Sequence, residues 1–359
     1  MRAWKAIVQT LIRRAGGRSR CARAGVPGLL GVLLATGLPA KEVPPAVNAW
    51  LEGARTLGSR SSGNLCIVPV TTRGGAAPGG LLSMDEAMAA GHLVVTETSA
   101  SGTVNTLLLR NGAERPVFIM AGEILAGAKQ DRILQQDLLL PPRSAAIPVA
   151  AFCVEHGRWA AKSETFFSER KSAPLGVRQR AAEHKEQGAV WDEVSANNAR
   201  LGVAPATGTL SAAHEAPKMK AQRGSYLGAF SGLPGQFPRA TGAVVLVNGR
   251  VMAADLFGDR VLFERLWGKL LDSYIAEAVR RQEEAVSSSF NSAEAFLARA
   301  AQAGVDLAPG PAAGQQVTVE AAGLRGGGVV LGNPVHLGLF PAGAATAPGR
   351  GLARNYGAR

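Results

Sequence analysis

Residues 116–159 read PVFIMAGEILAGAKQDRILQQDLLLPPRSAAIPVAAFCVEHGRW. Acids, one lysine, three arginines and several glycines interrupt apolar runs too short to be helices. Short apolar runs closed by glycine, proline or charge read as strands joined by tight polar turns. Val117–Met120, Ile133–Leu140 and Ala145–Glu155 are such runs, broken by Gly122, Gly127 and Pro141-Pro142. Loops at strand ends commonly carry function, so candidate site residues also concentrate here.

Upstream, Leu65–Val70, His92–Glu97 and Thr106–Arg110 read as further strands, with Asn111-Gly112 as a turn. Ser83 and Glu86 have the spacing of a capping box at the start of a helix that runs to Ala90. Consecutive strands with no helix between most of them imply an antiparallel sheet or barrel. Downstream, Gln187–Leu201 is a helix with Val190, Trp191, Val194 and Leu201 on one face. Asn248-Gly249 joins Ala243–Val247 to Arg250–Leu256 as a type I′ hairpin, since both turn positions need positive φ. Asp259 caps a helix whose Phe263, Leu266, Trp267, Leu270, Tyr274 and Ala278 recur at three and four. A helix at 292–303 and strands at Val317–Glu320, Val329–Leu331 and Val335–Phe340 complete the pattern. Ser163–Arg180 reads as a polar connection. Val203–Thr241, rich in Gly, Pro, Ala and Ser, reads as a long surface loop, ordered as a lid by Tyr226, Phe230 and Phe237. The fold class is therefore α+β: a mostly antiparallel sheet or barrel with two or three helices packed against it. One domain is expected over 41–342, followed by a loose basic tail at 343–359.

The chain has 359 residues, 47% of them hydrophobic, which excludes disorder as its main state. Its formal net charge is +12, but Arg2, Lys5, Arg13, Arg14, Arg18, Arg20 and Arg23 all precede residue 40, in a segment without acids. Without those seven the remainder carries +5. With only 5% aromatics it lacks the basic and aromatic stripe of a single-strand binder, and no nucleic-acid partner is expected. The seven charges precede the apolar run Val26–Leu38, which has the length of a secretory core segment. Residues 1–40 are accordingly read as an export signal, making the protein periplasmic or extracellular. A membrane anchor or a cytoplasmic chain are the alternatives, and the run is short for a ~30 Å hydrocarbon layer.

Among the three cysteines, Cys66 and Cys153 lie in strand-like apolar runs, where buried free thiols are expected over a disulfide. No cysteine or histidine spacing suits zinc, so no metal is assigned, and nothing in the sequence names a cofactor. Nucleophile elbows and phosphate-binding loops are absent too; Gly326-Gly327-Gly328 is too short a signal to count.

Glu123 follows Gly122 at a strand end and Glu155 closes an apolar strand, where burial would raise its pKa. The pair are the catalytic candidates, as acid or base. Lys129, Gln130, Arg132 and Arg158 are the ligand-binding candidates. In an extended segment Gln130 and Arg132 share a side and could fork a carboxylate or phosphate. His156 and Asp255 are further candidates. The two acids have structural alternatives: a turn cap or a pair with Lys129 for Glu123, and a pair with Arg132 or Arg158 for Glu155.

The segments GEILAGAKQDR, CVEHGRW, VWDEV, NGRVMAADLF and LFERLWGKLLDSY resemble a bacterial domain family of unknown function, the ARG and rhodanese-phosphatase-superfamily-associated protein domain. The likeness runs from about Leu65 to Phe340. Association with ADP-ribosylglycohydrolase and phosphatase-like proteins implies a phosphorylated or ADP-ribose-like ligand. The combined expectation is a pocket for an anionic small molecule, with hydrolysis as its candidate chemistry. The rival expectation is a noncatalytic binding or scaffold module whose charged cluster is a structural ion-pair network.

Overall fold

The computed structural model describes residues 45–73, 80–99, 101–184, 186–284 and 290–342. The segments read as an export signal and as a basic tail lie outside these. The described residues form an α+β unit dominated by antiparallel strands.

Its largest sheet has nine strands. Arg55–Thr56 pairs with Leu65–Thr71, which also takes Arg60–Ser62, and the order continues through Gly242–Val247, Arg250–Phe257, Asn333–Pro341, Leu324–Leu331, Gln315–Ala321 and Gly304–Pro309. Leu65–Thr71 and Gly242–Val247 are almost solidly apolar because both faces of the sheet are covered. Ile67, Val245 and Phe257 join one core with the long helix Arg260–Arg280. Val68, Val244 and Leu246 join another with the helices Pro45–Glu52 and Ala293–Ala301. Asn248 and Gly249 take φ of 51° and 73°, as the hairpin reading required.

The stretch 116–159 belongs to a second, smaller assembly. Six strands run in the order Phe166–Ser172, Glu123–Gly127, Arg132–Leu134, Ile147–Cys153, Thr106–Asn111 and Leu93–Glu97. Three more, Leu138–Leu140, Val117–Ile119 and Leu82–Ser83, curl against them as a half-barrel around Leu107, Leu109, Ile119, Leu125, Leu134 and Val149. The contact of Leu82–Ser83 with Val117–Ile119 is the parallel pairing.

Arg260–Arg280 is the pillar between the two assemblies. Asp259 caps it by accepting from the Val261 amide at 3.0 Å. The helix is buried well beyond its apolar stripe, and Lys269, Asp272, Glu277 and Arg280 are buried with it. Among the described residues Cys66 and Cys153 are free thiols, Cys153 buried and Cys66 half-buried.

Ile133–Leu140, read as one run, is two strands of different sheets, Arg132–Leu134 and Leu138–Leu140, and two longer segments also differ from the sequence reading. Ser163–Arg180 contains the edge strand Phe166–Ser172 and the start of the helix Leu175–His184. Val203–Thr241 is mostly helical, with Ser211–His214, Pro217–Phe230 and Leu233–Gln236. Its glycines suggested a loop, but Pro217 opens the helix at a position where a missing N–H costs nothing. Tyr226, Phe230 and Leu233 enter the main core, and the Trp267 indole donates to the Phe230 carbonyl at 3.1 Å. Tertiary burial overrode the local glycine signal.

Leu270 is fully buried in the face shared by the helix and the nine-stranded sheet. Leu270→Ala should lower unfolding free energy by about 2–5 kcal/mol, measured by urea denaturation.

Candidate functional site

The sequence-selected residues enter separate charge networks. At the first, the tight turn through Gly122, φ +85°, delivers Glu123 into the interior. One carboxylate oxygen accepts from the Met120 amide at 2.8 Å, and the other pairs with Lys269. Lys269 also bonds Asp85 at 2.7 Å. Burial raises the Glu123 pKa, with Lys269 opposing. Glu123 thus caps its turn, and its partner is Lys269, not Lys129.

Gln130 and Arg132 do point to one side, but they bond each other: an Arg132 Nη1–H donates to Gln130 Oε1 at 3.1 Å. Arg132 is fully buried, 3.9 Å from Glu97, and burial lowers its pKa. The Gln130 amide donates onward to the His156 carbonyl at 3.3 Å. Lys129 turns outward, donating to the Ser101 carbonyl at 2.6 Å and lying 5.1 Å from the exposed Trp159 ring. The His156 ring meets Trp191 edge-on, centroids 4.2 Å apart.

Glu155 and Arg158 form a third network. Arg158 Nε donates to Glu155 at 2.8 Å and an Nη2–H to Asp131 at 3.1 Å, while the Thr207 hydroxyl donates to Glu155 at 2.9 Å. Burial alone would raise the Glu155 pKa, but the hydrogen bonds from Arg158 and Thr207 outweigh it, and the net shift is downward. This reverses the expectation of a raised acid. A strand end is not an apolar environment once a guanidinium closes over it.

Asp255 holds a fourth network. Its carboxylate accepts from Arg178, at 3.1 Å to Nη1, and from the Tyr274 hydroxyl at 2.7 Å. It also contacts His336 Nε2 at 3.3 Å, and His336 Nδ1 lies 2.7 Å from Asp137. Burial opposes charge on both sides of this cluster. Even so, Arg178 and His336 hold Asp255 well below the usual carboxylate range. Asp137 and Asp255 in turn raise His336 to about 9, so it is an imidazolium at neutral pH.

This fourth network borders a cavity of about 470 Å³. The cavity lies between the helix Leu175–His184, the strands from Gly304 to Pro341 and the half-barrel loop Leu134–Asp137. Arg178, Asp137 and His336 line one end, and Gly327, Gly338 and Thr318 belong to the sheet wall. Arg178 Nε is buried without a hydrogen-bond partner. None of the eight sequence-selected residues lines the cavity; Asp255 stands behind two that do. Asp137, Arg178 and His336 do not stand out in the sequence because they are far apart in it. The available signal was the glycine content of the last strands, Gly326–Gly328 and Gly338. Among the described residues no group of acids, histidines and cysteines is arranged to hold a metal.

Fold and site together describe a two-assembly α+β protein with a charged cavity at their junction. The family model for the ARG and Rhodanese-Phosphatase-superfamily-associated Protein domain matches residues 54–340, and the chain belongs to that family. No curated protein and no solved structure matches it.

Two outcomes test the networks. His336 is raised in the folded state above its ordinary 6.5, so its contribution is complete below about pH 6.5 and is lost as pH rises through about 9. The loss should be on the order of 3 kcal/mol. Urea midpoints measured from pH 6 to 10 should fall across that window, and His336→Gln should flatten the fall. Lys269→Ala leaves Glu123 buried without its cation and should cost about 3–5 kcal/mol, read from the same denaturation curves.

Proposed function

We propose that this chain binds a small anionic molecule in the cavity beside Arg178 and His336, as a binding module. The observation that carries the reading is a wall in which Arg178 and His336 stand beside Asp137, the Arg178 Nε being buried without a hydrogen-bond partner, while Arg325, Glu183 and Glu320 line other parts of the cavity. Asp255 sits behind these cations and fixes them. Asp137 spends its oxygens on the Ala121 amide, at 2.8 Å, and on His336. Fixed charges of this kind attract an anion without the reorganisation that mobile surface lysines require. A volume of about 470 Å³ suits a small molecule.

Binding is favoured over hydrolysis because both ring nitrogens of His336 face carboxylates. Its protons are committed, so it acts as fixed charge. Glu123 and Glu155, the acids first considered for catalysis, are likewise engaged by Lys269 and Arg158. Their networks serve the scaffold, and the cavity serves the ligand.

Thermal-shift screening with phosphate, carboxylate and phosphate-ester anions tests this. A binder at about 100 times its Kd should add about 2.7 kcal/mol to stability. Arg178→Lys keeps the charge but removes the free Nε–H and should weaken that ligand at least tenfold by titration calorimetry. Arg132→Gln and Glu123→Gln should lower the unligated melting temperature and leave affinity unchanged. Affinity lost in those two variants and retained in Arg178→Lys would return the site to the strand ends of the half-barrel.

A further inference from the structure

Charge is distributed unequally along the cavity. Arg178 and His336 gather over the strand Asn333–Pro341: a Cβ on Gly338 would stand 3.6 Å from the His336 ring and 3.8 Å from Arg178. Strand register places the other charged side chains of the sheet wall well away from that point. Gly338 pairs with Gly327, and Gly327 with Thr318. Paired residues share a face, as do positions two apart on one strand. Glu320, two residues beyond Thr318, therefore borders the same cavity two strands across from Gly338, about 10 Å away. Gly327 and Thr318, which lie between, carry no charge.

The far end is rich in acceptors. Glu320 and Glu183 both line it, against one cation, Arg325. Arg325 Nε donates to Glu320 at 3.1 Å, and an Nη1–H to the Glu183 carbonyl at 3.5 Å. Arg180, 4.0 Å from the Glu183 carboxylate, does not line the cavity. Ala181, Ala182 and Glu183 belong to the last turn of the helix Leu175–His184. The final carbonyls of a helix lack intrahelical partners, and its dipole favours positive charge at that end. The Glu320 side chain is 57% exposed, and an ion pair in water holds its partners weakly, so an incoming ammonium can share this carboxylate with Arg325.

We infer that the ligand is an elongated zwitterion: its anionic group faces Arg178 and His336, and an ammonium group at its other end faces Glu320 and the C-terminal turn of the helix Leu175–His184. The anionic end rests on the reading above; the ammonium end rests on Glu320, Glu183 and the helix terminus. An uncharged linker joins the two across Gly327 and Thr318. A second anionic group at the far end would meet two carboxylates and helix carbonyls, with only Arg325 to favour it. An α-amino acid with a short side chain holds its two charges too close together to span the strands.

Calorimetric titration of the full chain with probes of matched length tests this. The zwitterions are 4-aminobutanoate, 6-aminohexanoate and 8-aminooctanoate. Alkanoates of the same lengths carry the anion alone, the matching dicarboxylates carry two anions, alkylamines carry the cation alone, and glycine is the short zwitterion. At least one amino acid of the series should bind at least tenfold more tightly than glycine and than its alkanoate, dicarboxylate and alkylamine counterparts. Glu320→Gln should shrink its preference over the alkanoate at least tenfold. Glu320→Lys should turn the preference towards the dicarboxylate; the exposure of that side chain keeps both variants foldable. Alkanoates or dicarboxylates binding as tightly as the amino acids, or preferences indifferent to both substitutions, would overturn the zwitterion; if Arg178→Lys still weakens those anions, the anion reading stands. Alkylamines binding as tightly as the amino acids, with no effect of Arg178→Lys, would overturn both. No binding by any of these probes would overturn the zwitterion, and the anion reading would then be decided by the phosphate and phosphate-ester screening.

Discussion

One buried carboxylate ties the parts of this molecule together. Asp255 sits on a central strand of the nine-stranded sheet and accepts from Arg178 of the helix Leu175–His184 and from Tyr274 of the pillar helix. Through His336, on the neighbouring strand, it connects to Asp137 of the half-barrel. Four elements far apart in sequence thus meet at a group that is fully buried. An isolated carboxylate there would be costly enough to take up a proton; held between two cations and a hydroxyl, it stays ionised. The two assemblies are consequently fixed relative to one another by charge as well as by apolar packing.

The same arrangement recurs in miniature. Lys269 reaches from the pillar helix into the half-barrel to meet Glu123 and Asp85, and Arg280 closes on Glu277 and Glu193 near the other end of that helix. Each cluster joins different elements and comes close to neutrality. Ion pairs like these add little net stability over well-packed hydrocarbon, yet breaking one partner leaves an uncompensated charge. They favour one docking of helix against sheet over neighbouring dockings that would strand a charge. The cavity beside Arg178 inherits that rigidity, which a preorganised binding wall requires.

Much of the architecture was legible in the sequence. The Asn248-Gly249 hairpin, the capped helix after Asp259, the capping box at Ser83 and Glu86, and the strand-rich character of 116–159 each follow from a local signal and are present. Local signals failed where the answer is set by distant partners. The glycines of 203–241 argued for a loop because Tyr226 and Phe230 reveal their role only when the core that receives them exists. For Glu155 the alternative that the sequence offered, a pair with Arg158 three residues on, is the one present, and Thr207, invisible from its neighbourhood, adds a further hydrogen bond.

The candidate site moved for a related reason. Charged residues crowded into a short stretch, such as Glu123, Arg132, Glu155 and Arg158, are close enough in space to find one another or a nearby helix, and burial makes that pairing almost obligatory. Density of charge in sequence is therefore a signal for internal networks as much as for ligands. A ligand needs room, and room is written as missing side chains. Gly327 and Gly338 become neighbours only through strand register, so neither is conspicuous alone. Seen in the sheet, the pair lies next to His336 and Asp255, in the one row where a strand partner carries the central carboxylate. A Cβ on Gly338 would only touch His336, Asp255 and Arg178 at ordinary contact distance, whereas one on Gly327 would meet the Val317 backbone carbonyl at 2.9 Å, so the sheet's own backbone asks for the second glycine.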